Sequence, residues 1–569
     1  MLANTVFHSA RSCGWRISGR IDPSVLSAGS ALPAASSLPH RGLSLAIASA
    51  LALSLQATIA GPVRAEVFPA RLDLAGLDGS NGFAIDGEAF DDGLGFSFGG
   101  PSDINGDGFD DLVVAAHVAD PNGTNSGRVY VLFGPFSGRS DAVQLSSLDG
   151  SNGFVLNGEL EYDLAGQSLA VGDINADGFD DILIGLFGGD RGSTVPNRSY
   201  LVFGAASGFP AELELADLDG SNGIALDMPG ALSILGYSVS AGGDVNGDGI
   251  DDLIIGDPMS SPNGVASGRT YVVFGSSAGL PHPLELSNLN GSDGFVIAGE
   301  SSGDGAGNAV SVVGDINGDG IDEIVIGASR ASTNGNSSGR SYVVFGRSSP
   351  VRPVLELSEL DGVRGFAIDG EASGAHAGRA LSAAGDINGD GLNDIIIGAP
   401  YAEVGGSATG RAYVVFGTQG GFPALLELAS LDGGNGSMLD GEAHYDRFGI
   451  SARRAGDING DGVDDLVIGA DWAGTNGAFS GSSYVVFGTR SGFPAQLQMS
   501  ALDGRNGFVL DGEAADDVSG RGLAAAGDLN GDGVDDLVVG ARGANADDSG
   551  RAYVVFGSDL IFVAGFEEE

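Results

Sequence analysis

The chain has 569 residues, 75 of them Asp or Glu against 26 Lys or Arg, for a formal net charge of −49. That balance sets nucleic acid aside as a partner, because phosphate backbones are bound by cationic side chains. The one cysteine, Cys13, lies in a segment expected to be removed, so no disulfide is expected in the mature chain.

The N-terminal segment places Arg11, Arg16, Arg20 and Arg41 before an Ala/Leu-rich apolar run from Leu43 to Ile59, and Val63-Arg64-Ala65 follows at the usual position of a cut. This reads as a secretory leader over residues 1–65, with an unusually long front end or a start site placed too early. A membrane anchor is the rival reading. The run is short for a span and is broken by Ser49, Ser54 and Gln56, so no stable membrane span is expected after cleavage. The expected location is secreted, cell-surface or periplasmic.

Residues 66–558 repeat. The stretch Asp103-Ile104-Asn105-Gly106-Asp107-Gly108-Phe109-Asp110-Asp111 recurs with first residues Asp103, Asp173, Asp244, Asp315, Asp386, Asp457 and Asp528, at separations of 70 and then 71 throughout. Seven such units fill nearly the whole chain, leave no room for a separate catalytic domain, and are followed by a short tail, 559–569.

Each unit opens on a short alternating run such as Leu72-Asp73-Leu74, followed by a turn like Leu77-Asp78-Gly79-Ser80-Asn81-Gly82. Such a run between turn clusters reads as a strand. Gly95-Phe96-Ser97-Phe98 comes next, then the nine-residue loop, then a β-branched run such as Leu112-Val113-Val114 that suits a strand buried on both faces. A variable Gly/Asn/Ser loop leads to Arg128-Val129-Tyr130-Val131-Leu132-Phe133-Gly134 and its equivalents. About four short strands per unit, seven times over and without helical periodicity, predict an all-β fold: a seven-bladed β-propeller in preference to an open solenoid.

The loop puts oxygen-bearing side chains at positions one, three, five and nine and glycine at the turn, a spacing suited to a hard cation, Ca²⁺ above all. In the first loop Asp103, Asn105 and Asp107 bind through side chains, Phe109 through its carbonyl and Asp111 through its carboxylate. The same roles fall on Asp173, Asn175, Asp177, Phe179 and Asp181; on Asp244, Asn246, Asp248, Ile250 and Asp252; and on Asp315, Asn317, Asp319, Ile321 and Glu323. They continue with Asp386, Asn388, Asp390, Leu392 and Asp394; Asp457, Asn459, Asp461, Val463 and Asp465; and Asp528, Asn530, Asp532, Val534 and Asp536. Asp-Asn-Gly clusters also make plain turns, but seven loops with oxygen at every expected position point to calcium. An EF-hand is set aside, because position twelve is Val114 in the first loop and Val539 in the last. These loops hold 27 of the 75 acidic residues. Up to seven Ca²⁺ would still leave a charge of about −35.

With Phe448-Gly449, the calcium loop, Gly398-Ala399-Pro400 and the closing Tyr-Val-Val-Phe-Gly, the units over about 72–557 resemble FG-GAP repeats, the blades of the integrin α-subunit propeller and related bacterial exported proteins. The Gly-Ala-Pro element departs to Ala115-Ala116-His117 in the first unit and Gly540-Ala541-Arg542 in the last. The resemblance implies that the strand near Leu72 completes the last blade, with Leu560-Ile561-Phe562-Val563 as a competitor for that edge. It also implies that ligands bind on the face opposite the metal loops, where alternation of antiparallel strands places the variable loops.

Those loops run over 117–126, 187–197, 257–267, 329–338, 400–409, 470–480 and 541–549. His117, Arg330, Tyr401, Trp472 and the nearby His444-Tyr445 pair are the candidate ligand-face residues. The acidic set Asp86, Glu88, Asp91 and Asp92, echoed by Asp511, Glu513, Asp516 and Asp517, reads as solvated surface or as a site for cations or basic partners. No catalytic residues are assigned. Gly95-Phe96-Ser97-Phe98-Gly99 matches the Gly-x-Ser-x-Gly pattern but occupies a repeat strand with no acid or histidine partner. The reading is an exported calcium-binding propeller that recognises a protein or glycan at a surface, as in adhesion. Its alternatives are an extracellular hydrolase acting on polysaccharide or phosphoester, and a structural envelope protein.

Overall fold

The computed structural model describes residues 68–136, 143–187, 197–228, 234–348 and 350–558. The expected leader, the tail with Leu560–Val563, and most of the 187–197 loop lie outside the described residues. The described chain is all-β, with 3-10 turns as its only helical elements, and forms seven blades of a propeller.

In the first blade the inner strand Leu94–Phe98 pairs with Leu112–Ala116, then Arg128–Leu132, then Gly153–Asn157, all antiparallel. Leu112–Ala116 is buried throughout, as the β-branched run predicts. Alternation explains it. Leu112, Val114 and Tyr130 pack with Phe83, Ile85, Val538 and Val554 of the seventh blade, whereas Val113, Val129 and Val131 pack with Leu169, Val171 and Ile184 of the second. Each blade is thus half of two cores.

Two expectations need correction. The alternating run that opens each unit is not one of the four blade strands but a fifth, added in parallel at the outer edge: Glu212–Glu214 lies beside Gly153–Asn157. The fourth blade strand is instead the glycine-led run after the turn, such as Gly153–Asn157, and it joins the blade formed by the preceding unit. Ring closure follows from this offset. Gly82–Asp86, not the strand near Leu72, completes the last blade by pairing with Arg551–Val555. Arg71–Asp73 lies at the edge of the sixth blade against Val509–Asp511.

Neighbouring blades also touch through backbone bridges such as Gly127 to Ala165, and Leu94 to Gly550 brings the last blade against the first. A Cβ on Gly550 would stand 2.2 Å from the Leu94 amide, and its φ of +83° is left-handed, so only glycine fits.

Of the acidic set, Asp86, Glu88, Asp91, Glu513 and Asp516 are exposed, as a solvated surface requires, but some of its members also pair with arginine and tyrosine. Glu88 accepts from Arg128 and from Tyr130 Oη at 3.3 and 2.8 Å, and Glu513 holds Arg551 and Tyr553 at 2.6 and 2.9 Å. Asp92 and Asp517 are buried. The sixth blade has Ser482 where the others carry arginine. Arg71, more than 400 positions away, fills that place, donating to Asp511 at 2.7 and 2.8 Å and to Glu442 at 3.2 Å.

Candidate metal loops and ligand face

Each nine-residue loop folds around its own carboxylates. In the first, Asp103 accepts from the amides of Asp107 and Gly108 at 3.0 and 2.9 Å, Asn105 from Asp107 at 2.8 Å, and Asp107 from Phe109 at 3.0 Å. Asp111 accepts from Ile104 and Gly134, both at 2.9 Å, so it ties the loop to the strand end beyond it. Gly106 and Gly108 take φ of +70° and +87°, which lets the chain reverse within the loop. The last loop repeats the pattern from Asp528 to Val534.

The ninth-position acid is fully buried in all seven loops. Burial, with repulsion from the first- and fifth-position carboxylates, pushes Asp111 up to about 7 and Asp181, Asp252, Glu323, Asp394 and Asp536 to about 8; Asp465 rises well above its ordinary value. None of the seven forms an ion pair among the described residues. Buried carboxylates beside other carboxylates call for a counter-charge.

The donor set fits a hard cation: it is all oxygen, and Asn175 Oδ1 and Asp536 Oδ2 are buried without a hydrogen-bond partner. No three His, Cys, Asp or Glu side chains converge as a metal cluster among the described residues. The carboxylates are turned onto backbone amides.

The eighth position has a role that the metal spacing leaves unread. Asp180 accepts from the amide of Asp103 at 2.8 Å, Asp251 from Asp173 at 3.0 Å, Asp464 from Asp386 at 2.8 Å, and Asp110 from Asp528 at 2.9 Å. Asp322 and Asp535 do the same, so every loop with Asp at this position caps the first amide of the loop before it, and the Asp110 bond joins the first loop to the last. Asp stands at this position in six loops and Asn393 in the fifth, a regularity that no ligand role explains. Asp110→Ala is expected to cost about 1–3 kcal/mol of stability, the range for a charged hydrogen-bond partner. Asp110→Asn, which keeps an acceptor oxygen, should cost less. Denaturant melts read the difference, and equal losses would argue that charge rather than the acceptor matters.

On the opposite face the predicted residues divide. His117 is buried, not displayed: its ring stacks on Phe96 at 3.6 Å, and burial beside Arg542 and Arg521 drives it down to about 3. The residue sits at the end of a blade strand, where packing takes precedence over display. Tyr401 and Trp472 are exposed and drawn together by Arg447, whose guanidinium lies 6.0 and 4.3 Å from their ring centres. The His444 and Tyr445 rings lie 3.7 Å apart, tilted by 43°, with His444 Nδ1 also 2.9 Å from Ser407 Oγ. Arg330 is exposed, near the His376 ring that meets Tyr401 edge-on. Ser97 donates to the Gly166 carbonyl at 2.6 Å, which leaves it without a base.

Family comparison matches the FG-GAP repeat at residues 95–132, 165–195, 235–273, 306–344, 377–415, 454–486 and 519–555. Integrin alpha pat-2 of Caenorhabditis elegans is 30% identical over 275 residues, covering 48% of this chain and 20% of that protein. Integrin alpha-IIb of Mus musculus is 31% identical over 186 residues, 31% of this chain and 16% of its own length. A phosphatidylinositol-glycan-specific phospholipase D of Bos taurus is 30% identical over 219 residues, 38% of this chain and 24% of its own length. The match thus spans a quarter or less of each of these curated relatives.

Proposed function

The chain belongs to the FG-GAP repeat family and is integrin-α-like within it, and on that premise we propose that it is an exported, calcium-stabilised module that recognises a protein or glycan at a surface, as in adhesion. In this reading residues 1–65 are a leader removed on export and 66–558 are the working unit. Up to seven Ca²⁺ are held by the side chains at positions one, three, five and nine and the carbonyl at seven. Calcium neutralises the buried ninth-position acids and locks each loop, while the variable loops of the other face meet the ligand.

One observation carries the reading: on seven blades built alike, the metal-loop end repeats and the opposite end does not, displaying Tyr401, Tyr445 and Trp472 to solvent. Variation on a rigid repeated frame is where specificity resides. No helix among the described residues is long and apolar enough to cross a membrane.

The test is binding of the calcium-loaded protein to an array of matrix proteins, glycans and envelope fractions. Saturable binding that is lost in EGTA and weakened at least tenfold by Tyr401→Ala with Trp472→Ala is the expected result. A folded, calcium-replete sample that binds nothing sinks the reading. The similarity to a phospholipase D favours phosphoester hydrolysis as the second reading, and turnover of a phosphodiester by the purified protein would establish it.

A further inference from the structure

Near the start of each of the seven inner strands stands a glycine followed by one residue that varies. It is aromatic in two blades (Phe96, Tyr237), an amide in two (Gln167, Asn308), aliphatic in one (Ile450) and arginine in two (Arg379, Arg521). All seven line one central channel of about 790 Å³ at the end away from the metal loops. Toward the other end the channel wall is formed by Asp110, Asp180, Asp251 and Asp535, eighth-position residues of their loops. The channel is therefore acidic at one end and basic at the other.

The basic end is under-neutralised. Arg447 and Arg521 share the single buried carboxylate of Asp471, at 3.2 and 3.4 Å. Arg379 reaches across from the fifth blade to the third, donating to Tyr237 Oη at 3.0 Å, and neither it nor Arg542 forms an ion pair among the described residues. Deeper in the channel Arg453 donates only to carbonyls, that of Leu381 at 2.9 Å and that of Ala452 at 3.4 Å.

With 75 acids to 26 cationic residues, arginine elsewhere finds a carboxylate readily, as Arg71, Arg128, Arg198, Arg340, Arg411 and Arg551 do. At this place four guanidinium groups, Arg379, Arg447, Arg521 and Arg542, have one ion-paired carboxylate among them, that of Asp471. Burial, and their repulsion of one another, hold Arg447 and Arg542 below their ordinary range. Arg447 Nε is buried with no partner, as is Nδ1 of His117 alongside.

The aromatic faces nearby are already covered. Arg447 lies over Trp472, and Arg521 over Phe96 at 5.9 Å. This leaves little ring surface for a sugar to stack on, holds the guanidinium planes in place, and presents N–H donors to whatever enters. An anion on a slender, flexible stem fits this mouth better than a pyranose.

We propose that the channel mouth set by Arg379, Arg447 and Arg521 binds an acidic peptide segment of the partner protein, a carboxylate entering between the guanidinium groups and taking paired hydrogen bonds from them. This deepens the recognition reading above and rests on it.

The probe is fluorescein-labelled hexaglutamate, titrated by anisotropy into the calcium-loaded protein, with hexaglutamine and an oligogalacturonate alongside. Since the protein as a whole repels polyanions, saturable binding reports a local site. Hexaglutamate is expected to bind, hexaglutamine not. Arg379→Ala with Arg521→Ala should weaken binding at least tenfold, the loss that follows from removing charge-assisted hydrogen bonds. Arg505→Ala, an exposed arginine in a turn, should leave it unchanged.

Should the double variant fold poorly, the unaltered protein still decides: hexaglutamate must change the fluorescence of Trp472, which lies under Arg447. The only other tryptophan is Trp15. No hexaglutamate binding, or equal binding by the double variant, overturns the proposal, and binding of the oligogalacturonate alone replaces it with an acidic glycan. If a partner found on the array binds the double variant undiminished, the inference falls while the recognition reading stands.

Discussion

A chain shortened to begin at residue 88 is expected to lose cooperative folding, whereas one beginning at residue 77 should fold with a modest loss. The difference lies in Gly82–Asp86. That strand pairs along Arg551–Val555 and inserts Phe83 and Ile85, both buried, into the core between the last and first blades. Those two side chains alone represent about 3–6 kcal/mol of apolar burial. The strand also brings Asp86 within 2.6 Å of Arg551, and Glu88 follows it to hold Arg128. Together these approach the 5–15 kcal/mol by which a whole domain is stable.

Loss of the strand would also leave Arg551–Val555 as an unpaired edge, a template for aggregation. The shorter deletion removes the parallel edge strand Arg71–Asp73, the Arg71 bonds to Asp511 and Glu442, the buried Leu74 and the Phe68 ring stacked on Phe508, but leaves the closing strand in place. Circular dichroism melts of both variants, against the chain beginning at residue 66, are the measurement. Equal losses would show that Arg71–Asp73, not Gly82–Asp86, governs closure.

Chelation is the second large effect. Stripping calcium with EGTA should lower the melting temperature by more than 10 °C, with recovery on adding Ca²⁺ back. Each site that binds only the folded chain contributes about 2.7 kcal/mol at a hundredfold excess of ion over Kd, so two or three occupied loops would match a large share of domain stability. The loops sit where that matters. They join the inner strand of every blade to its neighbour, and six of the seven are bonded through an eighth-position carboxylate to the loop before. Loosening one loop therefore loosens a contact between blades. A melting temperature in EGTA within 2 °C of the calcium-loaded value would remove the structural role assigned to the ion.

The repeat was legible because its signals are local. A metal-like spacing every 71 residues, β-branched runs after it and aromatic-glycine strand ends are each complete within ten positions, and they pointed to seven all-β units of an FG-GAP propeller. What the eighth-position acids do was not legible. The partner of Asp180 is the amide of Asp103, 77 positions away, and nothing in the loop itself calls for it. The same holds for Arg71, which fills a vacancy created by Ser482 in another blade.

Sequence by itself determined the number of blades, their all-β character and the oxygen-lined loops, since those depend on short-range pattern and on the burial that pattern demands. Tertiary structure alone decided that Gly82–Asp86 closes the ring, that His117 is packed against Phe96, and that Arg379 and Arg521 line one channel, with Arg447 sharing Asp471 with Arg521. The physical reason is closure. Residues about 71 apart are strangers along an open chain, and only when the last blade is completed by Gly82–Asp86 does one repeat position from every blade face a common axis.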